Sequence, residues 1–187
     1  LTAAAQSVVR ITGNAYACGV SQSGTGFVVS DDRVVTNAHV VAGVTEPVIE
    51  APNGEALVGS IVYFDPVDDL AVIAVPGLSA APLPLGETVP RGTDAAVQGY
   101  PYGGPFSAGA AAFMTVSTTQ VEDIYGSSTS PREVYSLAAD VRQGNSGGPL
   151  LALDGEVIGV VFAKSADRAN VGFAMTMTEL DPVAAQA

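Results

Sequence analysis

The chain is short of basic residues, of imidazole and of sulfur. Its 187 residues include one lysine (Lys164), one histidine (His39), one cysteine (Cys18) and no tryptophan. Charged residues make up only 14%, against roughly 25% in ordinary soluble domains. Acids dominate: 19 Asp and Glu stand against 7 Lys and Arg, a net charge of −12. With no basic run to neutralise phosphates, nucleic-acid binding is excluded. An anionic membrane surface would repel the chain. No apolar run reaches the roughly 18 residues that a spanning helix needs, so this stretch is not expected to insert into a bilayer. It also opens without a basic segment followed by an apolar core, so no signal peptide is expected within it. "LTAAAQSVV" reads as the inside of a longer chain, exported or membrane-tethered. One Cys and one His cannot build a zinc site of the usual kind, and no metal or organic cofactor is expected. Cys18 is either a semi-buried thiol or half of a disulfide whose partner lies outside this chain.

Apolar residues, at 48%, are plentiful enough for a real core, and they come in short Val- and Ala-rich runs between turn signals. Six strands are expected before the Pro-rich stretch 76–92: Ser7–Ile11, Gly26–Ser30, Val34–Asn37, Val48–Ala51, Ala56–Phe64 and Leu70–Val75. Six more follow it: Asp94–Tyr100, Phe113–Val121, Val134–Ala138, Leu150–Leu153, Val157–Phe162 and Gly172–Met177. "SDDRV", "PNGE" and "LDGE" are hairpin turns. "PYGGPFSAG" and "DIYGSSTSPRE" read as loose loops, and only Thr178–Gln186 as a short helix. Six strands and six predict an all-β chain of two antiparallel barrels, 7–75 and 93–177, joined by a linker at 76–92 and followed by a tail at 178–187.

A serine hydroxyl is a weak nucleophile until a base takes its proton, and the base needs an orienting group. His39, in "VVTNAHVV", is the only imidazole available. "DPVDDLAVIAV" offers Asp65, Asp68 and Asp69 as the orienting carboxylate. Asp69 abuts the apolar run at Leu70. Asp65 before Pro66 reads as turn chemistry, and Asp68 is expected to face solvent. In "RQGNSGGPLL", Gly144 lets its own N–H and that of Ser146 converge on one point, as a tetrahedral oxyanion requires, while Gly147 and Gly148 leave room above Ser146.

Taken together, "TGFVVS", "TNAHVV", "DDLAVI" and "GNSGGPL" resemble the trypsin-like serine proteases, in their bacterial HtrA-like form. The likeness covers about residues 7–177. It implies two six-stranded Greek-key barrels with the active site between them, working by acyl-enzyme formation on protein or peptide substrates. "DRVVTNAHVVAG", "DIYG", "REVYSLAADVRQGNSGGPLL" and "GVVFA" are further similar to the membrane-tethered, extracytoplasmic acid-resistance proteases of mycobacteria and related actinobacteria. By that resemblance His39 is the general base, Asp69 its orienting group and Ser146 the nucleophile, with the backbone of Gly144 and Ser146 as the oxyanion hole. Asp140 falls near the floor of the primary specificity pocket, Phe162, Ala163 and Lys164 pair with substrate backbone, and Gly172 lines the pocket wall. The same resemblance makes Cys18 half of a bridge, implies a location outside the cytoplasm behind a tether, and suggests a role in envelope stress or acid resistance. Asn145 stands where members activated by a freshly cut N-terminus carry Asp, so activation by that ion pair is not expected. Two other readings are an HtrA-like quality-control core without PDZ domains and a protease-like binding module.

Overall fold

A computed structural model describes residues 1–15 and 20–187. Cys18, and with it the expected disulfide, lies outside the described residues. A first antiparallel sheet contains β1 (Val8–Ala15), β2 (Val20–Ser30), β3 (Arg33–Thr36), β4 (Val48–Glu50), β5 (Ala56–Val58), β6 (Ser60–Asp65) and β7 (Leu70–Ala74), in the order β5-β4-β1-β2-β3-β7-β6. The second sheet closes on itself. It contains β8 (Asp94–Gly99), β9 (Ser107–Glu122), β10 (Thr129–Ala138), β11 (Pro149–Ala152), β12 (Val157–Lys164) and β13 (Val171–Met175), in the order β10-β13-β12-β11-β8-β9.

The six strands expected for the second barrel are all present. The first sheet has seven, because the run read as one strand over Ala56–Phe64 breaks at Gly59. The Gly59 N–H donates to Pro47 O at 2.8 Å, and a Cβ there would collide with Ile73 of β7. The backbone must pass too close to β7 for the strand to run straight through. β9 and β10 are longer than expected. They take in part of both presumed loops and form a ribbon that projects beyond the barrel, with polar residues on both faces and hence no period-2 signal to read.

The hairpin turns follow local chemistry. Asp32, Gly54 and Gly155 all have positive φ, at 57°, 93° and 94°, in "SDDRV", "PNGE" and "LDGE". Residues 76–92 form no named strand but tie the two sheets together. The Leu83 N–H donates to Val28 O of β2 at 2.9 Å, and the Gly86 N–H donates to Val157 O of β12 at 2.7 Å. Phe27, Val35, Leu70 and Val72 of the first sheet pack with Leu151, Val157, Val160 and Met175 of the second. A C-terminal helix, α3 (Met177–Ala184), seals that seam with Met177, Leu180 and Val183, which recur every three residues along one face. Among the described residues, no helix is long and apolar enough to cross a membrane.

Candidate active site

Among the described residues, two short α-helices precede α3. α1 spans Thr2–Ala5. α2 (Ala38–Val41) follows β3 directly and carries His39. Ala38, Val40 and Val41 bury themselves in the first sheet, which leaves the His39 imidazole 38% exposed at the seam. Asp69 lies in the turn between β6 and β7, not in the strand itself, and its φ is 56°. This left-handed conformation is tolerated by Asp better than by most residues. It aims the carboxylate back at α2. Asp69 Oδ1 accepts the backbone N–H of His39 at 2.8 Å, and Oδ2 meets His39 Nδ1 at 2.7 Å. The Asp69 side chain is only 8% exposed. Asn37 Nδ2 donates to Asp69 O at 3.0 Å and closes the turn from the other side. A carboxylate gripped at both oxygens holds the ring in one orientation, with the proton on Nδ1 and Nε2 free to act as a base.

Ser146 lies between β10 and β11, on a loop that the first sheet grips. Gly147 has φ +89°, and a Cβ there would run into Thr25 O, Thr36 Oγ1 and the Asn37 backbone. Ser146 is thereby pressed against the residues that launch α2. Thr25, fully buried, was not picked out from the sequence, yet it holds this loop. Its N–H donates to Ser146 O at 3.0 Å, and its Oγ1 donates to Gly144 O at 2.7 Å while accepting the Tyr100 N–H at 3.0 Å. The sequence cue is its place between Gly24 and Gly26, where the neighbouring chain can approach closely.

Around Ser146 the N–H groups of Asn145, Gly147 and Gly148 donate to Arg142 O, Val161 O and Asn145 O. Among the described residues, the N–H groups of Gly144 and Ser146 have no such acceptor. Gly144 has φ +97°, and a Cβ there would strike Tyr100 O and Tyr102 N. The Ser146 hydroxyl donates to Phe162 O at 3.3 Å, and among the described residues no hydrogen bond joins it to His39.

Phe162, Ala163 and Lys164 end β12. Beyond Val161 this stretch pairs with β13 but no longer with β11, so its other edge is open beside Ser146. Gly172 of β13 pairs with Lys164 and packs against the Val141 side chain. Asp140 is exposed, and its Oδ2 receives both Nε and Nη2 of Arg142, at 3.0 and 2.8 Å. Asp140 lines a cavity of about 380 Å³ with Tyr102, Arg142 and Asn145. It also lines a cavity of about 400 Å³ with Lys164 and Asn170.

Two readings of the β6–β7 turn divide. Asp65 is turn chemistry as expected: its Oδ1 accepts the N–H groups of Val67 and Asp68, at 2.9 and 3.1 Å. Asp68 does not simply face solvent. Its side chain is 21% exposed and lies against Arg132 of β10, because residues 66–69 form a turn and strand alternation does not apply.

A double-sheet fold with an aspartate-oriented histidine facing a glycine-bound serine defines a class of protein. The chain belongs to the trypsin-like peptidase domain family, whose model matches residues 24–160. It is 44% identical over 176 residues to the serine protease Rv3671c of Mycobacterium tuberculosis, covering 93% of this chain and 44% of the relative. A probable periplasmic serine endoprotease, DegP-like, of Halomonas elongata is 34% identical over 171 residues, covering 87% of this chain and 34% of the relative. The crystal structure of Rv3671c protease described as its active form superposes with a TM-score of 0.94 at 43% identity, over 97% of this chain and 80% of that one. The form described as inactive gives 0.86 at 41% identity, over 99% and 90%. The chain spans less than half the length of the mycobacterial relative.

Proposed function

We propose that this domain is a serine endopeptidase of the trypsin and HtrA type, with Ser146 as nucleophile, His39 as general base and Asp69 as its orienting group. The observation that carries the reading is the double grip of Asp69 on His39, together with a serine loop in which the N–H groups on either side of Asn145, those of Gly144 and Ser146, have no acceptor among the described residues. For attack the Ser146 hydroxyl leaves Phe162 O and donates instead to His39 Nε2. As Oγ attacks the scissile carbonyl, Nε2 takes its proton. The developing oxyanion receives the N–H groups of Gly144 and Ser146. The imidazolium then protonates the leaving amine. Water, deprotonated by the same nitrogen, hydrolyses the acyl-enzyme and restores Ser146.

The substrate is a protein or peptide whose backbone pairs with the open edge at Phe162–Lys164. A location outside the cytoplasm is supported by the relative named as periplasmic. A tethered parent chain and a role in envelope stress or acid resistance rest on the motif resemblance alone. A fluorophosphonate probe tests the chemistry. One adduct per chain, on the peptide containing Ser146 and lost in His39→Ala, is expected; adduct on another serine refutes the assignment. No adduct, with peptide binding retained, would mark a binding module.

A further inference from the structure

The turn that presents Asp69 is held from the other barrel. The β9–β10 ribbon folds its tip back so that the Ile124 N–H donates to Pro66 O at 3.0 Å. From the same ribbon Arg132 reaches the next two residues of the turn. Its Nη2 donates to Val67 O at 2.7 Å, and its Nε faces Asp68 Oδ1 at 3.3 Å. Arg132 is 3% exposed, as closed off as a core leucine, though it carries a full charge. Buried charge persists only where partners repay its desolvation. Here the partners are a carboxyl group, a carbonyl and the face of Phe162, whose ring centre lies 5.0 Å from the guanidinium carbon. Phe162 is the residue whose carbonyl receives the Ser146 hydroxyl. One guanidinium therefore touches both the turn before Asp69 and the strand end beside Ser146.

We propose that Arg132 is a positioning residue that sets the His39–Asp69 pair and the Phe162 strand end in register with each other across the two sheets. The inference rests on the triad reading above. An aspartate at positive φ in a four-residue turn has no ladder of its own to fix it, so the turn must be clamped from outside. The clamp is itself anchored to α3: Glu133, next in β10, donates its N–H to Glu179 Oε1 at 2.9 Å and accepts the hydroxyls of Thr176 and Thr178, at 2.5 and 2.9 Å. Arg132 touches no reacting atom. Its loss should lower kcat while leaving KM almost unchanged.

Arg132→Lys and Arg132→Met are the variants. Lysine keeps the charge, but as a single point it cannot hold Val67 O and Asp68 and still stack on Phe162. Methionine keeps the apolar stem. A fall in kcat of about 100-fold for Arg132→Met and a smaller fall for Arg132→Lys are expected, since a displacement near 1 Å costs about that much. KM should stay within a few-fold of wild type in both. His39 is the only imidazole, so its Nδ1–H proton resonance reads the bond to Asp69 directly. It should shift and broaden in both variants, and in Ser146→Ala it should not. If Arg132→Met does not fold, Arg132→Lys decides: wild-type kcat with an unaltered Nδ1–H resonance overturns the proposal. Because the resonance needs no turnover, it distinguishes failure of the clamp from failure of the protease reading, which would leave wild type itself inactive and unlabelled.

Discussion

Thr25 and Gly144 are joined across the two sheets by a buried hydrogen bond of 2.7 Å from Thr25 Oγ1 to Gly144 O. The bond fixes the peptide that follows Gly144 from its carbonyl side. With the Thr25 N–H on Ser146 O, it suspends the loop of the nucleophile from β2, a strand of the opposite sheet. Thr25→Val keeps the shape but leaves the Gly144 carbonyl and the Tyr100 N–H unpaired in the interior. Each such group costs about 1–3 kcal/mol. The urea midpoint should fall accordingly and fluorophosphonate labelling should slow. Thr25→Ser should restore both. Labelling at the wild-type rate in Thr25→Val would mean that the loop holds its shape without β2.

Gly147 and Gly155 share a left-handed backbone, with φ of +89° and +94°, but not a neighbourhood. A Cβ on Gly155 meets nothing within 4 Å, while one on Gly147 collides with Thr25, Thr36 and Asn37. Gly155→Ala should cost only the conformational strain, about 1–2 kcal/mol. Gly147→Ala should add an overpacking penalty of about 1–3 kcal/mol and push Ser146 away from α2. Paired urea melts and labelling rates separate the two. Equal losses would show that the serine loop yields freely.

The chemistry was legible in the sequence wherever it depends on one residue type at a tight backbone point. Gly144, Ser146 and Gly147 announce a strained turn by their composition, and His39 stands out because it has no competitor. The second barrel was legible too, since its strands are apolar runs bounded by turn residues. What stayed hidden depends on partners distant in the chain. Thr25 and Gly144 are 119 positions apart, and Arg132 and Val67 are 65 apart. No local pattern marks an arginine for burial. The break at Gly59 was invisible for the same reason: it exists because β7 lies beneath it. Asp68 was misplaced because strand alternation was carried into a turn.

Asp140 and Arg142 bear on substrate choice. The family resemblance places Asp140 at a pocket floor, where a free carboxylate would select Arg or Lys. In the structure Arg142 already occupies that carboxylate, and both side chains are more than half exposed. Wild type should therefore show little preference for basic residues at the cleaved position. Arg142→Ala should raise kcat/KM for Arg and Lys substrates relative to Leu, and Asp140→Ala in that background should abolish the gain. A peptide library read by mass spectrometry gives both ratios. No gain in Arg142→Ala would remove Asp140 from the specificity pocket.

Asp68 gives the protein a dependence on acid that does not involve its histidine. Burial pushes this carboxyl up to about 8, helped by the hydrogen bond and the charge of Glu179 on α3 and by the charge of Asp65 in its own turn. Arg132 of β10 pulls the other way without prevailing. At neutral pH Asp68 thus keeps its proton beside Glu179. In the unfolded chain an aspartate releases its proton near pH 3.9. Between about pH 4 and pH 8 the folded chain therefore binds a proton here that the unfolded chain does not, so this group's contribution to stability falls as pH rises through that window. Asn in place of Asp mimics the protonated form at every pH. Asp68→Asn should match wild type in thermal stability below about pH 4, pull ahead steadily as pH rises, and keep a constant lead above about pH 8. Differencing the two proteins cancels every other titrating group they share. A constant difference in melting temperature from pH 5 to pH 9 would show that Asp68 is ionised throughout. Its contact with Arg132 would then be an ordinary ion pair.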